Sequence, residues 1–125
     1  AELGAEEIHI VGGTGSRLDH MLANVYLLGL LREQGISAYL VDAHNRVQVI
    51  DQRIVIKKET QYGKYVSLLP FMGAVEGITL KGMKYPLEDY TLDHCHSIGI
   101  SNEITGEQAE IELRTGRLVV IESKD

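Results

Sequence analysis

The sequence predicts an α/β fragment of β-α-β type followed by an all-β antiparallel sandwich. Two observations carry this. Between residues 7 and 41 an apolar run, a glycine-rich turn, an amphipathic helix and a second apolar run follow one another. From about residue 45, short stretches alternate apolar and polar residues, with glycine or proline between them and no helical period. The boundary is placed so that residues 1–48 form the first part and 49–125 the second.

The elements follow in order. Ala1-Glu2-Leu3-Gly4 reads as the last turn of a helix closed by glycine. A strand at about 7–12, with Ile8, Ile10 and Val11, stops at Gly12, Gly13 and Gly15. A helix at about 17–34 places Leu18, Met21, Leu22, Val25 and Leu28 on one face, and Gly35 ends it. The opposite stripe, Arg17, His20, Asn24, Leu27 and Leu31, is polar at the helix start and apolar at its end. Both flanks of the C-terminal half are therefore expected to be buried, with the N-terminal half facing a site or solvent. Ser37 to Val41 is the second strand.

Beyond it, Val47/Val49, Ile54/Ile56, Val66/Leu68, Ile78/Leu80, Ile111/Leu113 and Leu118/Val120 alternate at period two. Alternating strands with no helix between them make an antiparallel sandwich or barrel. Thr115-Gly116 reads as a hairpin turn between the last two runs. Two parallel strands are fewer than a parallel sheet normally has. The first part is thus expected to be the tail end of an α/β domain, and the chain part of a longer protein.

Composition narrows the function classes. The 125 residues are 44% hydrophobic and 24% charged, as in globular domains. A net charge of −6 argues against a general binder of nucleic acid or acidic membrane. It leaves room for a small anionic substrate held by local arginines. Cys95 is the single cysteine, so no internal disulfide can form and a reducing compartment is expected. With no signal-peptide pattern and no apolar run long enough to span a bilayer, the expected location is the cytoplasm, with no membrane partner.

The segment IHIVGGTGSRLDHMLAN, residues 8–24, is the most informative. A strand, a glycine turn and a helix N-terminus bring free backbone N–H groups and a positive dipole end to one spot, which suits a phosphate. The loop matches neither the P-loop, since no lysine follows, nor GxGxxG, since position 18 is Leu18. A plain strand-to-helix turn is the competing reading. Asp19 suits the helix dipole by roughly 0.3–1 kcal/mol on its own. Arg17 is electrostatically unfavourable there unless Asp19 or a bound anion offsets it. His20 and Asn24 either line the same face or are ordinary polar packing.

Asp93-His94-Cys95-His96 would put two histidines on one face of a strand, which does not complete a zinc site. Ser97 to Glu103 ends in Ser101 and Asn102, which can hydrogen-bond the edge of a heterocycle or simply close a strand.

The two motifs are more specific together. GGTGSRLDHMLAN opening a helix, GISNEITG about eighty residues later, YPL at 85–87 and a closing hairpin ending VIESKD resemble bacterial thiamine pyrophosphokinase along the whole chain. The resemblance implies transfer of a pyrophosphoryl group from ATP to the hydroxyl of thiamine, giving thiamine diphosphate and AMP with Mg²⁺. It implies an α/β nucleotide-binding domain ending in 1–48, a thiamine-binding β-sandwich in 49–125, and a homodimer with shared active sites.

It further implies that Thr14, Arg17, Asp19 and His20 belong to the nucleotide side, with Arg17 and Asp19 catalytic. Asp19 could orient Arg17, help hold the metal or accept the hydroxyl proton. Ser101 and Asn102 would contact the thiamine pyrimidine. The family's aspartate-rich, Mg²⁺-holding motifs have no counterpart from Ala1 onward. The chain alone is therefore expected to show little kinase activity, well below the roughly 1–100 per second of kinases. A non-catalytic thiamine- or nucleotide-binding module and a ligand-free structural β-domain are the alternatives.

Overall fold

A computed structural model describes residues 7–11, 18–41, 43–93 and 101–124, with the backbone alone at 7–11 and 18–22. Expectations at Ala1–Gly4, at the glycine turn with Thr14 and Arg17, and at His94-Cys95-His96 lie outside the described residues. So do those for the side chains of Asp19 and His20.

Strand β1 (Glu7–Val11), helix α1 (Leu18–Glu33) and strand β2 (Ser37–Val41) form the β-α-β unit. β1 and β2 pair in parallel, Glu7 opposite Ser37 and Val11 opposite Val41. The helix ends where Gly35 takes φ 78°. The Gly35 N–H then reaches Arg32 O at 3.0 Å and the Ile36 N–H reaches Leu31 O at 2.9 Å. This is the paired 5→2 and 6→1 closure that a left-handed glycine permits.

The remaining strands are β3 (Asn45–Ile50), β4 (Ile54–Lys57), β5 (Tyr65–Pro70), β6 (Val75–Lys81), β7 (Leu87–Leu92), β8 (Asn102–Glu103), β9 (Gln108–Glu112) and β10 (Leu118–Ser123). A six-stranded sheet has the order β1-β2-β3-β10-β5-β8, and a four-stranded sheet the order β4-β9-β6-β7. All pairings after β1–β2 are antiparallel. The expected β-α-β unit and antiparallel sandwich are both present. The 1–48/49–125 division falls inside β3, which pairs with β2 on one side and β10 on the other.

Alternation assigns each face of the six-stranded sheet its own core. Ile50, Val66, Leu68, Leu118 and Val120 point inward and pack against Ile56, Val75, Ile78, Leu80 and Ile111 of the second sheet. Ala38, Leu40, Val47, Val49 and Val119 point outward and pack under Leu28 of α1. A one-residue slip in register would exchange the two sets, so burial on both faces fixes the pairing.

The inner row continues past Leu118 and Val120 to Glu122, which is fully buried. Arg46 meets it with a fork: Nε lies 2.9 Å and Nη2 2.8 Å from Oε2. Tyr62 donates its backbone N–H to Oε1 at 3.0 Å. The rings of Tyr39 and Tyr62 each lie 5.7 Å from the Arg46 guanidinium carbon. Gly63 lets this segment lie on β10, because a Cβ there would sit 2.2 Å from Ser123 O.

Two expectations are corrected. Thr115-Gly116 is not a hairpin turn: β9 belongs to the four-stranded sheet and β10 to the six-stranded one. The segment crosses between sheets, with Thr115 bridging to Glu76. Nor is the C-terminal half of α1 buried on both flanks. Leu28 is buried, but Tyr26, Leu27 and Leu30 are exposed, because among the described residues the sheet meets the helix on its Leu28 side.

Candidate functional site

Helix α1 packs over β2 and β3. The outer face of β10 and β5 beyond it is left as the floor of a groove. That floor is Val47, Val119, Ile121 and Leu69. One wall is Val25 and Tyr26 of α1, and the other is the Phe71-Met72-Gly73 turn. The volume is about 530 Å³, within the range of small-molecule sites.

The second wall is held by close packing. Phe71 donates its N–H to Arg117 O at 2.9 Å. Its ring lies so close to Gly29 that a Cβ there would be 2.2 Å from Cζ. The Tyr26 ring is 6.0 Å away, tilted by 59°. Met72 follows at φ 61° and is 75% exposed. A non-glycine residue held in the left-handed region beside an apolar cleft marks a place where local conformation is set by more than local preference.

Polar groups gather at one end of the floor. Val47 pairs with Ile121 and Ile121 with Ser67. Ser67 Oγ accepts the backbone N–H of Ser101 at 2.8 Å. Ser101 itself is exposed and takes φ 57°. Asn45 lines the groove next to Val47, and Ser123 donates its hydroxyl to Asn45 Oδ1 at 2.9 Å.

Asn102, the neighbour of Ser101, lies differently. It is 2% exposed and pairs in register with Val66, an inner-face residue. Its Oδ1 accepts the N–H of Tyr85 and of Glu103, each at 2.9 Å, and its Nδ2 donates to Tyr85 O at 2.8 Å.

A second hollow, of about 610 Å³, lies between Lys57–Glu59 and Gly106–Gln108. All six of its lining residues are exposed, and it lacks apolar side chains to hold a ligand. Among the described residues no cluster of three His, Cys, Asp or Glu could hold a metal ion. No helix among them is long and apolar enough to cross a membrane.

Residues 51–118 match the family model for the thiamin pyrophosphokinase, vitamin B1 binding domain. The chain belongs to the thiamin pyrophosphokinase family. It is 31% identical over 118 residues to thiamine pyrophosphokinase of Bacillus subtilis (strain 168), a match over 94% of this chain and 55% of that protein. The crystal structure of the Bacillus subtilis thiamine pyrophosphokinase superposes with a TM-score of 0.93 at 32% identity, over 99% of this chain and 58% of that one. That of Geobacillus thermodenitrificans thiamin pyrophosphokinase gives 0.84 at 32% identity, over 99% and 57%. Yeast thiamin pyrophosphokinase shares the fold, with a TM-score of 0.76 at 18% identity, over 92% and 39%. The chain thus spans a little over half the length of the bacterial relatives.

The sequence singled out Ser101, whose backbone N–H is bonded to Ser67, and the buried Asn102, but not the groove itself. Tyr26, Leu69, Phe71 and Met72 carry no motif. The one local signal is an aromatic and a methionine directly before Gly73, in a turn where polar residues are usual.

Proposed function

We propose that the chain is the thiamine-binding portion of an enzyme that transfers the pyrophosphoryl group of ATP to thiamine. The match of residues 51–118 to the vitamin B1 binding domain carries this reading. In the reaction the thiamine hydroxyl oxygen bonds to the β-phosphorus of ATP. The bond from that phosphorus to the α-phosphate's bridging oxygen breaks, AMP leaves with the electron pair, and the hydroxyl proton passes to a base.

The groove's chemistry supports thiamine as its ligand. Thiamine is two linked aromatic rings, one of them a cationic thiazolium. The apolar floor, edged by the Tyr26 and Phe71 rings that pack against each other at 6.0 Å, offers apolar contact and a negative π-face. The chain's net charge of −6 favours approach of a cation. Ser101, tied through its N–H to Ser67 beside Ile121 of the floor, is in this reading the hydrogen-bonding group on the thiamine side.

Thr14, Arg17, Asp19 and His20 belong, in this reading, to the nucleotide side at the start of α1. The Arg17 fork would clamp phosphate oxygens. Phosphoryl transfer rests mainly on positioning and charge stabilisation, so a misplaced arginine there costs rate rather than fold. Among the described residues no cluster of three His, Cys, Asp or Glu is available to a Mg²⁺ ion. The reading further places the protein in the cytoplasm as a homodimer with ATP as co-substrate.

Calorimetric titration of thiamine into the 125-residue chain tests the proposal. Saturable one-site binding is expected. Ser101→Ala should weaken it about threefold to tenfold, the value of one hydrogen bond. A folded chain that takes up no thiamine would leave a structural β-domain, and an unchanged affinity in Ser101→Ala would remove that residue from the site.

A further inference from the structure

We infer that Asn102 is a positioning residue that sets the backbone at Ser101 and never touches the ligand; this rests on the thiamine-binding reading of the groove.

The Asn102 side chain and the Ser101 backbone N–H meet opposite faces of the six-stranded sheet. Paired residues on adjacent strands project to the same side. Val66, the partner of Asn102, is fully buried in the core between the sheets. Leu69 and Ser67 alternate with Val66 and Leu68 and project to the groove side, where Leu69 is part of the floor. Asn102 therefore shares the inner face with Val66, and β5 and β8 stand between its amide and the groove.

The amide is also engaged. An Asn Oδ1 has two lone pairs. Tyr85 N–H and Glu103 N–H take both, at 2.9 Å each. Nδ2 donates to Tyr85 O at 2.8 Å. Asn102 thus pairs with the N–H and C=O of one residue, as a neighbouring strand would, and fastens the segment at Tyr85 to β8.

Ser101 is held from both ends. Its N–H is fixed by Ser67 Oγ, and the next residue is anchored by the Tyr85 clamp. Its φ of 57° is a conformation that a serine in an unrestrained chain rarely keeps. Without the clamp the peptide can relax, and the Ser101 hydroxyl leaves the position the ligand needs. The serine is the contact and the asparagine is its holder.

A thermodynamic cycle separates holding from touching. Thiamine affinity is measured by calorimetry for the wild-type chain, Ser101→Ala, Asn102→Ala and the double variant, with folding checked by circular dichroism. Asn102→Ala should weaken binding by about threefold to tenfold, no more than Ser101→Ala does, when Ser101 is present, and less than about twofold when residue 101 is already alanine. Losses that multiply in the double variant overturn the inference.

Should Asn102→Ala fail to fold, the unmodified chain still decides. In ¹⁵N–¹H spectra, thiamine should move the Ser101 backbone signal and leave the Asn102 side-chain amide pair in place. Movement of that pair as large as that of Ser101, or an unmoved Ser101, overturns the inference. A wild-type chain that binds no thiamine overturns the functional reading itself, and the inference with it.

Discussion

Replacing Arg46 with methionine should be among the most damaging single changes to this fold. Glu122 is fully buried, and its carboxylate takes two N–H groups from the Arg46 fork and one from Tyr62. Arg46→Met keeps most of the stem's volume but removes two of those three donors and the cation between Tyr39 and Tyr62. Stripping the partner from a buried charge costs about 3–5 kcal/mol. Unfolding 125 residues carries an entropy of about 0.26 kcal/mol per kelvin, so the melting temperature should fall by roughly 12–19 °C. That loss is a large part of the roughly 5–15 kcal/mol by which domains are stable. The double change Arg46→Met, Glu122→Leu removes the buried charge together with its partner and costs the Tyr62 N–H its Glu122 acceptor, at about 1–3 kcal/mol. It should therefore be more stable than Arg46→Met alone. Thermal and urea denaturation at neutral pH measure both. An Arg46→Met chain within about 1 kcal/mol of wild type, or a double variant less stable than the single one, would refute the reasoning.

Gly63→Ala should destabilise by more than about 2 kcal/mol in urea denaturation, because the new Cβ meets the Ser123 backbone at 2.2 Å and cannot be cleared by a side-chain rotation. Gly29→Ala sets two effects against each other. Helix propensity gains about 1 kcal/mol, but the Phe71 ring must leave its seat, and thiamine affinity measured by calorimetry should fall even where the melting temperature hardly changes. The exposed Arg53–Glu110 pair gives a pH signature. The Arg53 hydrogen bond holds the Glu110 carboxyl below its ordinary range. Because the folded value is the lower one, the pair's contribution is present above the ordinary carboxylate range and lost as pH falls through the folded value. The melting-temperature difference between wild type and Arg53→Gln should therefore shrink in acid, and shrink at neutral pH when salt is raised.

Much of the architecture was legible because its determinants are local. Period-two alternation marks Val47/Val49, Val66/Leu68 and Leu118/Val120, and each pair proved to be one face of a strand. Gly35 stopped α1 as its position predicted. What failed depended on partners distant in sequence. Thr115-Gly116 has turn chemistry between two strands, but Val119 pairs with Val49 and Leu69 rather than with β9, so the turn becomes a crossover. Leu27 and Leu30 look like core on a helical wheel. They are exposed because, among the described residues, the sheet meets only the Leu28 side of the helix.

The groove and the serine-asparagine pair show the same limit at the level of chemistry. Sequence places Ser101 and Asn102 side by side, and residue type alone makes both hydrogen-bonding contacts for a heterocycle. The face that Asn102 occupies depends on the register of β8 against β5, set by the pairing of Asn102 with Val66 and Glu103 with Tyr65. Asn102 then finds its partner at Tyr85, seventeen positions back along the chain. A buried polar side chain needs its hydrogen bonds made, and the backbone of Tyr85 makes them on the inner face. The requirement that keeps Asn102 buried and satisfied is the one that withholds it from the groove. In the reading proposed above, folding thereby gives Ser101 to the ligand and Asn102 to the support of its neighbour.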